Sequence, residues 1–178
     1  MRQCGDCQLC CKLLPVRSVG KGAGERCQHQ RHHKGCAVYA QLFKVAPECK
    51  LWNCRWLRDE STGELRRPDR SHYVIDVMPE YVTLYDDVGV GTKVPVVQIW
   101  VDPDYPDAHR DPALRDWLEL HKGWAGLVRY SGHDGFVIFP PNMSADGEWH
   151  EKASNHPAEV RHTAADLVGT FGWGAMGL

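Results

Sequence analysis

Eight cysteines fall within the first 54 residues of this chain, at positions 4, 7, 10, 11, 27, 36, 49 and 54, and the remaining 124 residues contain none. An even set of thiols in a small domain reads either as a disulfide framework or as a metal site. Disulfides need an oxidising compartment. The opening Met1-Arg2-Gln3-Cys4 lacks the apolar stretch of a secretory signal, so the expected location is the cytoplasm. There, clustered cysteines are metal-binding or redox-active more often than bridged, and metal is the favoured reading.

The spacing within the cluster narrows the chemistry. Cys4, Cys7 and Cys10 form two successive C-x2-C steps, which lets one loop turn three sulfurs inward. That run matches cubane iron–sulfur loops better than a zinc ribbon, which uses two separated C-x2-C knuckles. Neighbouring Cys10 and Cys11 cannot easily serve one centre, because adjacent side chains diverge by about 100° on a helix and point oppositely on a strand. Either they serve two centres or one of them is a packing residue. Cys27 and Cys36 bracket His29, His32 and His33, spare candidate ligands for which solvent exposure is the expected state. Cys49 and Cys54 lie five apart, about 8 Å along and around a straight helix. Their convergence requires a break or turn near Pro47. Eight thiols are equally compatible with two four-thiolate sites, so the cofactor is expected to be an iron–sulfur cluster or zinc.

Composition adds bounds. A chain of 178 residues with 43% hydrophobic and 25% charged residues is an ordinary globular one. A net charge of -2 carries no global polyanion-binding footprint. No apolar run reaches the roughly 18–20 residues that span a bilayer, and no membrane partner is expected.

Residues 1–70 show little periodicity, whereas 71–178 read as an α+β half. Alternation over 72–78 and again over 81–85, with Pro79-Glu80 between, predicts a hairpin. Residues 86–93 read as a glycine-containing loop, 94–101 as a third strand and 136–139 as a fourth. Asp111 followed by Pro112 signals a helix start, with Leu114, Trp117, Leu118 and His121 on one face and Gly123 as the stop. A second helix is expected over 157–171. The expected architecture is therefore α+β: a loop-rich cysteine and metal module, residues 1–70, packed on a short antiparallel sheet with two helices. The module is too polar to fold on its own core, so coordination should supply much of its folding free energy, on the order of 10 kcal/mol for structural zinc.

The motif series extends beyond the cysteines. Cys4-x2-Cys7-x2-Cys10-Cys11 is followed by Lys21-Gly-Ala-Gly24, Cys27-Gln-His29, Gly35-Cys36-Ala-Val-Tyr39, Cys49-x4-Cys54 with Trp56-Leu57, and Leu65-Arg-Arg-Pro-Asp-Arg70. Over roughly residues 1–77 this resembles the bacterial cysteine-cluster family known as a zinc- or iron-chelating domain of CxxCxxCC type, a cluster found also in flagellin lysine N-methylases. The resemblance implies a metal site built from Cys4, Cys7, Cys10, Cys11, Cys27, Cys36, Cys49 and Cys54. Two positions depart from the family pattern: Val45-Ala46-Pro47 replaces an Arg-Pro step, and Trp52 stands where Phe is usual.

Other signals are bland. His109-Arg110-Asp111-Pro112 echoes a kinase catalytic loop with none of its companion motifs, and Gly20-Lys-Gly-Ala-Gly24 lacks the spacing and ending of a phosphate loop. Ser131-Gly-His133-Asp134 reads as a polar turn, since triads are assembled in space rather than in sequence. Arg55, Arg58, Arg66, Arg67 and Arg70 beside Trp52 and Trp56 could form a single-strand nucleic-acid surface. Pairing of Arg67 and Arg70 with Asp59, Glu60, Glu64 or Asp69 is the better reading. The sequence thus points to a metal-binding protein with a redox or metal-handling role. The alternative is a structural-zinc adaptor that binds protein or RNA; DNA is not expected, and no catalytic residue is assigned.

Overall fold

The longest strand organises the chain. In the computed structural model, which describes residues 2–85, 88–130 and 135–153, the short elements of the first seventy residues are α1 (Leu9–Leu13), β1 (Gln30–Arg31), β2 (Gly35–Cys36), α2 (Leu42–Val45), α3 (Pro47–Leu51), α4 (Arg55–Arg58) and α5 (Pro68–Ser71). Then come β3 (Tyr73–Ile75), β4 (Glu80–Tyr85), β5 (Gly91–Val101), α6 (Pro112–Leu120), β6 (Ala125–Arg129), β7 (Gly135–Phe139) and β8 (His150–Ala153). The eleven-residue β5 is flanked on one side by both β3 and β4 and on the other by β6, with β7 and β8 continuing outward.

This mixed α/β architecture corrects three sequence expectations. The sheet is not purely antiparallel: β5 and β6 run parallel, with Val97 opposite Gly126 and Ile99 opposite Val128. Parallel neighbours need a crossover, and α6 lies in it. The segments around 72–78 and 81–85 do not pair as a hairpin; β3 pairs with Tyr73 opposite Val101, and β4 pairs further along β5 with Val82 opposite Val94. The bend between them is held by Asp76, whose carboxylate accepts hydrogen bonds from the Met78 N–H and the Trp52 indole, both at 2.9 Å. Finally, 91–93 belong to a strand and not to a loop. The helix expected over 157–171 and the turn at 131–134 lie outside the described residues.

Alternation along β5 sends its side chains to the two faces of the sheet. Val97, Ile99 and Val101 join Tyr73, Ile75, Val128 and Ile138 beneath Leu114, Trp117 and Leu118 of α6. The helix starts as its sequence predicts: Asp111 caps it by accepting the Ala113 N–H at 3.2 Å, and Pro112 occupies the first turn. Gly123, at φ 82°, turns the chain toward β6. On the opposite face, Trp100 and Val74 receive Cys7, Leu9, Leu13 and Leu14, while Val96, Ala125, Leu127, Val137 and Phe139 form a separate cluster with Val82.

That face of the sheet is therefore what the cysteine-bearing segment packs against. Leu9 and Leu13, one turn apart, are the buried residues of α1. Lys12 ties the helix to the end of β5 through Asp102 at 2.5 Å and Asp104 at 2.6 Å. A further bond reaches α6, from the Trp117 indole to the Ser61 hydroxyl at 3.0 Å, and within the segment itself the Trp56 indole donates to the Leu65 carbonyl at 2.9 Å. Among the described residues no helix is long and apolar enough to cross a membrane.

Candidate metal centre

The eight cysteines arrive from six pieces of chain. Cys4 and Cys7 sit on a tight turn closed by the Cys7 N–H on the Cys4 carbonyl at 3.0 Å. Cys10 and Cys11 lie on α1, and the Cys27 N–H returns to the Cys11 carbonyl at 3.0 Å. Cys36 is on β2, Cys49 on α3, and Cys54 is the residue before α4. The break needed to bring the last two together falls after Leu51 rather than at Pro47, which begins α3. Trp52 caps the end of α3 and Trp56 lies in α4.

All eight line one cavity of about 730 Å³, and all are free thiols. Its floor includes Val74, Asp76 and Trp100 of the sheet region, and Trp52 stands at its side. The guanidinium of Arg129 lies over the Trp100 ring, 5.5 Å from its centroid. Of the three candidate histidines, His29 reaches the cavity wall half-buried. His32 and His33 are exposed, as expected of them, and stand outside the wall. Among the described residues no group of three or more His, Cys, Asp or Glu side chains stands at the spacing of a closed metal-ligand set.

The thiols perturb one another. A hydrogen bond with Cys7 lowers the Cys4 thiol against the opposing effect of burial, and the same bond, aided by burial, pushes Cys7 up. Cys10 is raised by its bond to Cys11 and then by burial, whereas Cys11 is lowered to about 7 by accepting that bond, helped by the charge of Lys21. Burial, reinforced by Cys11 and Cys27, carries Cys49 up to about 12. Burial likewise carries Cys54 up to about 11, with Cys7 adding to it. In each pair a lowered thiol thus sits beside a raised one, and a bound metal would displace the protons of both.

The donor chemistry fits a soft metal. Eight sulfurs face two carboxylates, Glu48 and Asp76, on the same wall, and thiolate-rich sets select zinc and iron–sulfur clusters over hard cations. Sequence reasoning missed Lys21, 8% exposed, whose ammonium donates to the Leu14 carbonyl and to the Gly22 carbonyl at 3.3 Å. Its presence in a glycine-flanked stretch between Cys11 and Cys27 was the available signal. The Trp52–Asp76 bond and the Trp100 floor carried none, because they depend on how the module meets the sheet.

The arginines after the cysteines are engaged internally. Arg67 pairs with Asp69 at 2.6 Å and Asp6 at 2.8 Å, Arg55 with Asp59 at 3.2 Å, and Arg66 with Asp111 at 3.3 Å. Arg70 approaches Asp69 at 4.0 Å. The fold and this wall together define a mixed α/β protein with a thiol-lined cavity between a loop-rich segment and a sheet. No family model, curated protein or solved structure matches the chain.

Proposed function

We propose that this chain is a metal-binding protein that holds an iron–sulfur cluster or zinc through Cys4, Cys7, Cys10, Cys11, Cys27, Cys36, Cys49 and Cys54, in a redox or metal-handling role. One observation carries the reading: thiols spread over 51 residues of sequence all line the same cavity. Packing alone gives no reason for eight small sulfur side chains to gather there, whereas thiolate coordination does. The motif series, which resembles that of the cysteine-cluster family, supports the same reading.

Elemental analysis and visible absorption of anaerobically isolated protein test it. The expected result is stoichiometric iron with acid-labile sulfide and charge-transfer bands, or stoichiometric zinc in a colourless sample. A chain that is isolated metal-free and takes up neither metal on anaerobic reconstitution would end the proposal. The adaptor reading is weaker on its RNA side, since Arg55, Arg66 and Arg67 already spend their charge on Asp59, Asp111, Asp69 and Asp6.

A further inference from the structure

We propose that the eight thiols form two separate four-thiolate centres: an inner one of Cys4, Cys7, Cys10 and Cys54 seated against the sheet, and an outer one of Cys11, Cys27, Cys36 and Cys49 enclosed by the β1–β2 hairpin and α3. The proposal rests on the metal-binding reading above and goes beyond it by fixing the number of centres and the ligands of each.

The division begins at adjacent residues. Cys10 and Cys11 share α1, where consecutive side chains leave the axis about 100° apart. Cys10 belongs to the apolar cluster on the sheet, which Cys11 does not join. Cys10 packs with Cys7 and Cys54 in the apolar cluster of Leu13, Val74 and Trp100. Cys36 instead packs against Val16, Leu42 and Ala46, a cluster that shares no member with the first.

Backbone and charge neighbours sort the remaining thiols in the same way. The Cys11 carbonyl accepts the Cys27 N–H at 3.0 Å, which fixes the start of the hairpin segment beside Cys11. The Cys49 N–H is bonded to the carbonyl of Ala46, itself a member of the outer cluster, at 3.0 Å. Through space, Cys49 feels the charges of Cys11, Cys27 and Cys36. Cys54 feels Cys7, and Cys4 feels Cys54. Cys4 also feels Cys11, so the two centres are close neighbours with their seam at the Cys10–Cys11 peptide.

Charge balance distinguishes the two. Four thiolates around a divalent metal leave two net negative charges, costly in an apolar site unless a cation stands near. Buried Lys21, whose ammonium donates to the Leu14 and Gly22 carbonyls, is within electrostatic reach of Cys27, Cys11 and Cys49, three members of the outer set, along with Cys10 at the seam. The inner set has Arg67 within electrostatic reach of Cys4, but that guanidinium is already paired with Asp69 and Asp6, so a buried cation marks out the outer set. The shared chemistry is a soft metal in a tetrathiolate cage, which zinc and a cubane iron–sulfur cluster both satisfy.

The test counts metals on the full chain by native mass spectrometry after anaerobic reconstitution, in one arm with zinc alone and in another with ferrous iron and sulfide. Wild-type protein should take up two centres. Cys54→Ser and Cys49→Ser should each take up one, and the double variant none. In parallel, wild-type protein loaded with a single equivalent is alkylated with N-ethylmaleimide and mapped by peptide, a readout independent of whether any variant folds. Cysteines should become protected in blocks of four, with Cys10 and Cys11 in different blocks. A wild-type maximum of one centre, total metal loss in either single variant, or joint protection of Cys10 and Cys11 overturns the division while leaving metal binding intact. Failure of the wild type to bind in both arms instead defeats the underlying reading.

Discussion

Gly135 shows how a single hydrogen atom in place of a methyl group can decide a strand pairing. A Cβ there would come 2.5 Å from the carbonyl oxygen of Val128, which is backbone in the neighbouring strand β6 and cannot rotate away. Gly135→Ala should therefore destabilise the protein by about 1–3 kcal/mol, the usual cost of forced overpacking, read as a lower urea midpoint. Asp111 is the opposite kind of residue, chosen for what its side chain adds. It caps α6 through Ala113 and also meets Arg66 and the Tyr73 hydroxyl, both at 3.3 Å. Asp111→Ala should cost about 1 kcal/mol from the cap alone, and Asp111→Asn should restore most of it in the same titration. Asp111-Pro112 was legible from sequence because capping is a local act. The reason for Gly135 was not, since it lies in a neighbouring strand.

Elements were readable in proportion to how much of their pattern was their own. α6 shows its buried stripe of Leu114, Trp117 and Leu118, and its boundaries follow from its cap and stop. β6 escaped because all five of its residues are buried, leaving no alternation to see, and because Gly126 interrupts it. That glycine is needed: a Cβ would stand 2.6 Å from Ile138 and 2.9 Å from Ile99. β8, His150–Ala153, is exposed throughout and carries no apolar signal at all; its place comes from pairing with β7. β5 accommodates Pro95 within its length. Pro95 stands opposite Tyr81 of β4, and β6 begins its pairing only at Val96, so the proline falls where one side of β5 is still an edge. The element that should matter most to stability is α6. Leu118 is wholly buried between helix and sheet, and Leu118→Ala should cost about 2–5 kcal/mol by the cavity it leaves, measured by equilibrium unfolding against the exposed control Leu120→Ala.

At the scale of the molecule, two kinds of cohesion meet at Trp100. The cluster under α6 contains no cysteine, and neither does the one around Val96 and Leu127, so the sheet and its helix carry their own apolar burial. The cysteine segment is differently built. Its buried apolar residues are few, and those of α1 form a common cluster with Val74 and Trp100 instead of a core of their own. The spacing of the thiols is visible in the sequence but this asymmetry is not, because nothing local tells that Leu9 and Leu13 face the sheet. If coordination supplies on the order of 10 kcal/mol to such a segment, removing the metal should act regionally. Anaerobic chelation under reducing conditions should strip amide hydrogen-exchange protection from residues 4–54 while β5, β6 and α6 keep theirs. Trp52 offers a second reporter: its indole is held by Asp76 at 2.9 Å beside the thiols, so its fluorescence should change with the first region and not with global unfolding. Simultaneous loss of protection in both regions would show instead that metal, module and sheet form one cooperative unit joined through Trp100. Retention in both would show that the segment holds its shape without metal.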